Sequence, residues 1–217
     1  MIKKVVVFDS GYGGELFADY LEKELAIIDV VRVIDWRHAD DLTRDSKTAR
    51  RAAAEALRPY IGRVDLIVFA NNLLALTSLK FFQRKYHNQK FSGLKLPTNV
   101  RDSNEPTLIL TTKAVHDTIQ YHILKHRLKS DVKDLCLDEW PNLIDDGELT
   151  LDMMRQSFSS VNVRPSNIII GCTQFVDIKK DLHRVLGNNI VIYDSFKQGF
   201  NDVCKKLGYR GGSGKKD

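Results

Sequence analysis

The chain has 217 residues, 43% of them hydrophobic, enough for a substantial core in one large domain or two small ones. No apolar run approaches the roughly 20 residues that cross a bilayer, so a soluble, cytoplasmic protein without a membrane partner is expected. The formal net charge of +5 does not argue for nucleic acid: Lys205 to Asp217 alone carry +4, and the rest shows no basic stripe interleaved with aromatics.

In chain order, MIKKVVVFDSGYGG opens with a short apolar run, Val5–Phe8, which is a strand rather than a leader sequence. Further strands are predicted at Val30–Ile34, Leu66–Phe69, Thr107–Leu110, Asn167–Ile170 and Ile190–Tyr193. Helical patterns follow at Glu15–Lys23, Lys47–Leu57, Leu74–Tyr86, Val115–Leu128, Phe175–Leu186 and Phe196–Leu207. Lys47–Leu57 starts just after Asp45 and Ser46, good cap residues, and reads as a solvated amphipathic helix. Near-continuous apolar strands alternating with helices predict parallel sheets covered on both faces. Such folds place ligands at the carboxyl ends of the strands. The polar groups at those ends are Asp9-Ser10, Asp35, Asn71-Asn72, Thr111-Thr112, Cys172-Thr173 and Asp194-Ser195.

The order of elements repeats. One strand ends in FDSGYGG and a later one in LTTKAV; FANN is matched by IIGCT. Asn71 and Cys172 lie 101 residues apart, and Asp9 and Thr112 lie 103 apart. This predicts two similar α/β units facing one cleft. Residues 1–97, with 194–217 folding back, form the first, and 98–193 the second. The aperiodic stretch Pro97–Pro106 crosses between them, and GYRGGSGKKD is a frayed tail.

Three cysteines, odd in number and widely spaced, suggest no disulfide framework and no CxxC metal site. Cys136 and Cys204 are expected in the core. Cys172 lies between a strand and a following helix, a setting that lowers a thiol pKa, so it is expected to be the reactive one. Asp9 either caps the first helix or faces the cleft. Asn71 is expected as a turn device and Asn72 as a ligand group. His116, His122 and His126 crowd one helix; His122 and His126, four apart, share a face as metal ligands can, but no third ligand joins that pair, so an exposed helix face is expected. GYGG offers a nucleotide-dependent alternative, supported only by Asp35, because Leu16 stands where the dinucleotide fingerprint needs Gly or Ala.

Taken together, VVVFDSGYGG, VIDWRHAD, IVFANN, LILTTKAV, WPNLIDDGEL, IIIGCT and VIYDS resemble, in order, the motifs of the aspartate/glutamate racemase family, and most of all its glutamate racemases. The resemblance covers nearly the whole chain. It implies cofactor-independent proton transfer at an α-carbon: two thiols, one from each unit, flank that carbon, one acting as base and the other as acid. On this resemblance Cys172 and Asp9 are the catalytic candidates. Ser10, Asn71, Asn72, Thr112 and Thr173 are the substrate-binding candidates, and the partner is a small carboxylic or amino acid. Many relatives of this kind are homodimers, an arrangement the sequence leaves open. The chain departs from the pattern at Asn71, where the first thiol belongs. It departs also at Leu73 and Val115, where threonines bind substrate, at Gln174, where a histidine belongs, and in HADDLTRD, which lacks Pro-Tyr-Gly. Asp145 is a shorter stand-in for an acidic residue. The expectation is a racemase-like protein without two-thiol racemisation, working with one thiol as a lyase or isomerase. The alternative is a non-catalytic descendant that binds a small acid or a protein partner.

Overall fold

The computed structural model describes residues 2–39, 41, 45–97, 100, 104–128, 131–161 and 164–209. Part of the 97–106 crossing, part of HADDLTRD and the tail from 210 lie outside them.

Two four-stranded parallel sheets carry the fold. The first contains β1 (Lys3–Asp9), β2 (Ile28–Ile34), β3 (Leu66–Phe69) and β4 (Phe91–Gly93), in the order β2-β1-β3-β4. The second contains β5 (Thr107–Thr111), β6 (Val132–Cys136), β7 (Asn167–Ile170) and β8 (Val191–Tyr193), in the order β6-β5-β7-β8. The same spatial order recurs, so the sequence repeat is a repeat of topology.

Both faces of each sheet are covered, which explains why the central strands read as unbroken apolar runs. In the first sheet Val6, Phe8, Ile67 and Phe69 pack on α2 (Ser46–Leu57) and α3 (Asn72–Lys85) through Ala49, Ala53, Leu74 and Phe82. The alternate residues Val5, Val7, Leu66 and Val68 face α1 (Tyr12–Glu24) through Phe17 and Leu21. The last helix, Phe196–Leu207, joins that same face through Phe196 and Val203. Each such fully buried side chain contributes about 1.5–3 kcal/mol relative to exposure.

The second sheet buries Leu108, Leu110, Ile168 and Ile170 against α6 (Trp140–Asp145), α7 (Leu151–Phe158) and α8 (Lys179–Leu186). Its other face packs on α4 (Lys113–His116) and α5 (Ile119–Arg127). Leu73 and Leu76 of α3 reach the same cluster, tying the two sheets together.

Several elements differ from the sequence-based expectation. Strand β4 is only three residues, Phe-Ser-Gly, too short to show periodicity. Strand β6 lies at the edge of its sheet and mixes charge with apolar residues, so it does not read as a buried run. Helices α6 and α7 were not anticipated. The expected helix Val115–Leu128 is broken by Thr118, whose hydroxyl accepts from Tyr121 N at 3.2 Å and starts α5 afresh. The expected helix Phe175–Leu186 begins instead as a 3₁₀ turn, Thr173–Val176. Helix α2 is less purely solvated than expected. Arg50 turns inward, donates to Thr77 O at 2.7 Å, and lies 4.8 Å over the Phe81 ring.

Candidate functional site

The strand registers fix which residues correspond. Phe8 pairs with Phe69, and Leu110 pairs with Ile170. Two residues beyond Phe69 stands Asn71, and two beyond Ile170 stands Cys172, so these are equivalent positions. Two residues beyond Phe8 is Ser10, and two beyond Leu110 is Thr112. Ser10, not Asp9, is therefore the counterpart of Thr112; the sequence spacing missed this by one residue because strand ends alone do not define register.

These strand ends meet in one cleft of about 380 Å³. Ser10, Asn71, Asn72, Thr112, Cys172 and Thr173 line it, with Gln174 and Asp145 beside them. Asp9 lies just beneath, in contact with Ser10 and Asn71. The two sheets can approach this closely because α1 begins with small residues. A Cβ on Gly13 would lie 2.3 Å from Thr173 Oγ1, and one on Gly11 would lie 2.6 Å from Gln174 Nε2. The glycines of GYGG thus serve packing between the two strand ends, which accounts for them without a nucleotide phosphate. Asp35 is likewise engaged, with its carboxylate 2.7 Å from His38 Nδ1.

Asn71 caps α3: its Oδ1 accepts from Leu74 N at 2.9 Å. Its Nδ2 donates to Asp9 Oδ1 at 3.1 Å. Asp9 Oδ1 also accepts from Ser10 N at 2.7 Å, while Asp9 Oδ2 is buried with no hydrogen-bond partner among the described residues. Asp9 does not cap α1, whose N-cap is Gly11 without a side-chain hydrogen bond. Burial raises the Asp9 carboxyl to about 7, opposed by the Ser10 and Asn71 hydrogen bonds and assisted by the nearby Asp145. Asn72 is more structural than expected: its Nδ2 donates to Leu94 O at 2.8 Å, leaving Oδ1 buried and unpartnered.

On the opposite side, Cys172 Sγ donates to Gln174 Oε1 at 3.0 Å. The expected low thiol pKa is overturned. Burial pushes it up to about 12, with Asp9 and Asp145 adding negative charge nearby and only backbone N–H groups of Gln174 and Phe175 opposing. The short 3₁₀ turn after Cys172 offers little dipole against that burial. Asp145 is itself shifted upward by burial, and its Oδ1 has no hydrogen-bond partner among the described residues.

Of the other cysteines, Cys204 is buried, but Cys136 is exposed, because it ends the edge strand β6 and not a central one. Among the described residues, no three His, Cys, Asp or Glu side chains cluster as a metal site would require. His116 instead sits 3.0 Å from Asp134 and 3.1 Å from Asp117, with its ring tilted against Tyr121 and edge-on to His122. The sequence reading did not single out Trp36, Asp138, Pro141 or Asn142, which also line the cleft. The signal for Trp36 was its place directly after the second strand end. WPNLIDDGEL was recognised as a motif, but not as helix α6 forming one wall.

The fold is α/β, with two four-stranded parallel sheets of the same strand order whose strand ends share one cleft. Glutamate racemase from Escherichia coli, solved with L-glutamate and the activator UDP-MurNAc-ala, superimposes with a TM-score of 0.82 at 19% identity, over 100% of this chain and 87% of that one. The Campylobacter jejuni glutamate racemase structure matches with a TM-score of 0.78 at 19% identity, over 94% of this chain and 85% of that one. At the level of sequence, the glutamate racemase of Helicobacter acinonychis (strain Sheeba) is 30% identical over 187 residues, covering 79% of this chain and 72% of the relative. No protein-family model matches the chain. The chain belongs to the glutamate racemase family. No helix among the described residues is long and apolar enough to cross a membrane.

Proposed function

We propose that this chain binds a small carboxylic or amino acid in the cleft and that Cys172 acts on it from one face as a proton donor, without two-thiol racemisation. One observation carries the reading: Asn71, equivalent in position to Cys172, has its carboxamide committed at both ends, to Leu74 N and to Asp9. A carboxamide neither gives nor takes a proton near neutral pH, so its face lacks the thiol that the family's chemistry needs. We take residues 1–97 with 194–217 as one unit and 98–193 as the other, each supplying one strand end.

Cys172, held protonated by its surroundings, suits the delivery of a proton to a carbanion or enolate. In a decarboxylation, the carbon–carbon bond electrons pass to the α-carbon and carbon dioxide leaves. The Cys172 proton then moves to that carbon, and the thiolate is reprotonated from water. Ser10, Asn72, Thr112 and Thr173 surround the space where the acid would lie, and Asp9 supports it from below. That the relatives are named glutamate racemases, and that the Escherichia coli enzyme was solved with L-glutamate, supports an amino acid as one candidate ligand.

The test is incubation in deuterated water with methylmalonate, and with alanine, leucine and glutamate beside it, followed by mass spectrometry. Deuterium should enter at the α-carbon of at least one acid as it loses carbon dioxide, and Cys172→Ala should remove most of it. Incorporation into none would overturn the catalytic half. It would favour a non-catalytic binding protein, a reading that the Cys172–Gln174 hydrogen bond supports by tying down the thiol.

A further inference from the structure

Resting on the reading that this cleft takes a small acid, we infer that its ligand is an amino acid with an apolar side chain rather than an acidic one. Four buried side-chain polar atoms lack a hydrogen-bond partner among the described residues, and three of them belong to this site: Asp9 Oδ2, Asn72 Oδ1 and Asp145 Oδ1. Asn72 Oδ1 accepts, and each of the two carboxyl oxygens accepts when its group is ionised. The Asn72 assignment is fixed, because its Nδ2 is the atom that reaches Leu94 O. These atoms are closed off from the open cleft and do not themselves contact a ligand; the acidic groups that face it are Asp138 and Asp145. An ammonium group offers three N–H donors and a positive charge against Asp145 and Asp138, which both line the space.

The rest of the wall holds neutral polar and apolar side chains but, among the described residues, no Lys or Arg that would pair with a second carboxylate. Leu73, Val115, Ala114 and Pro141 line it, and Trp36 stands at its edge, half-exposed. Leu73 and Val115 sit in one cluster, joining α3 to α4. A dicarboxylic amino acid would bring a second negative charge between Asp138, Asp145 and Asp9, with no donor waiting on Leu73 or Val115. Burying an unpaired carboxylate there is unfavourable, whereas a hydrocarbon side chain gains by leaving water. At about 380 Å³ the cleft is of a size suited to a small ligand.

Isothermal titration calorimetry with L- and D-leucine, L- and D-glutamate, and 4-methylpentanoate decides the matter. The last is leucine without its ammonium. At least one leucine enantiomer should bind more than tenfold tighter than either glutamate, and more than tenfold tighter than 4-methylpentanoate. Asp145→Asn should narrow the second gap, and the double variant Leu73→Thr with Val115→Thr the first. Glutamate binding as tightly as leucine would overturn the side-chain inference while leaving a small-acid site intact. Equal binding of leucine and 4-methylpentanoate would overturn recognition of the ammonium. Binding by none of the five would remove both this inference and the small-acid reading beneath it.

Discussion

The strand ends after β3 and β7 stand at the same place in two sheets of the same order, yet they do different work. After β3 the chain enters the 14-residue helix α3, and Asn71 is its N-cap. After β7 it enters a four-residue 3₁₀ turn, and Cys172 caps nothing with its side chain. A side chain spent on a cap and on Asp9 is unavailable for proton transfer, whereas one with no capping duty can be a thiol. The two ends thus divide one scaffold into a structural face and a chemical face, and on the proposed reading this division is what separates the chain from two-thiol chemistry.

Removing the chemical face should have the largest effect. Cys172→Ala should lower deuterium delivery to the α-carbon by about 10²–10⁴-fold, the usual contribution of a positioned acid or base, with unchanged circular dichroism showing that the fold survives. A delivery rate within threefold of the parent would place the acid elsewhere.

The buried carboxyl beneath Asn71 should set the pH dependence of stability. Asp9 ionises near 7 in the folded chain and near 3.8 when unfolded. Between those values the folded state holds a proton that the unfolded state releases, so raising the pH from about 4 through 7 costs stability. The loss should be on the order of a few kcal/mol and complete above about 8. Asp145, shifted in the same direction, adds to it. Urea unfolding of Asp9→Asn should show a shallower decline; an identical pH profile in parent and variant would mean that Asp9 is not the buried titrating group.

The structural face should respond next. Asn71→Ala removes the cap on Leu74 N and should cost about 0.5–2 kcal/mol, read as a lower urea midpoint, whereas Asn71→Ser should recover part of it. No loss in the Ala variant would deny Asn71 its capping role.

The smallest perturbation is thiol labelling of the native protein. With the half-buried Cys172 thiol pushed up to about 12, and Cys204 buried, iodoacetamide at pH 7 should reach exposed Cys136 first. Mass-spectrometric mapping that finds Cys172 labelled first would restore the low-pKa thiol expected from sequence.

Much of the scaffold was legible from the chain alone, because buried parallel strands leave unbroken apolar runs. Leu66–Phe69 and Asn167–Ile170 stand where the pattern put them. Strands β4 and β6 were hidden because one is three residues long and the other is a charged edge. The equivalence of Asn71 and Cys172 could be read from spacing, but the pairing of Ser10 with Thr112 needed the register. Their gathering in one cleft follows from the duplicated order. The state of Cys172 was not legible, because burial is a tertiary property and outweighs the strand-to-helix position that suggested a reactive thiol. The Asn71 cap on Leu74 N is local, but its bond to Asp9 and the burial of the Asn72 and Asp145 oxygens exist only in the folded chain.

The comparison of the two faces is tested most directly by incubating L- and D-glutamate with the purified chain and with Asn71→Cys, following optical activity by circular dichroism. Neither protein should interconvert the enantiomers. The parent has no thiol on the Asn71 face, and in the variant Leu73, Val115 and Gln174 still leave an acidic substrate poorly held. Sustained interconversion by the parent chain would contradict the account and require a working base on the face that Asn71 occupies.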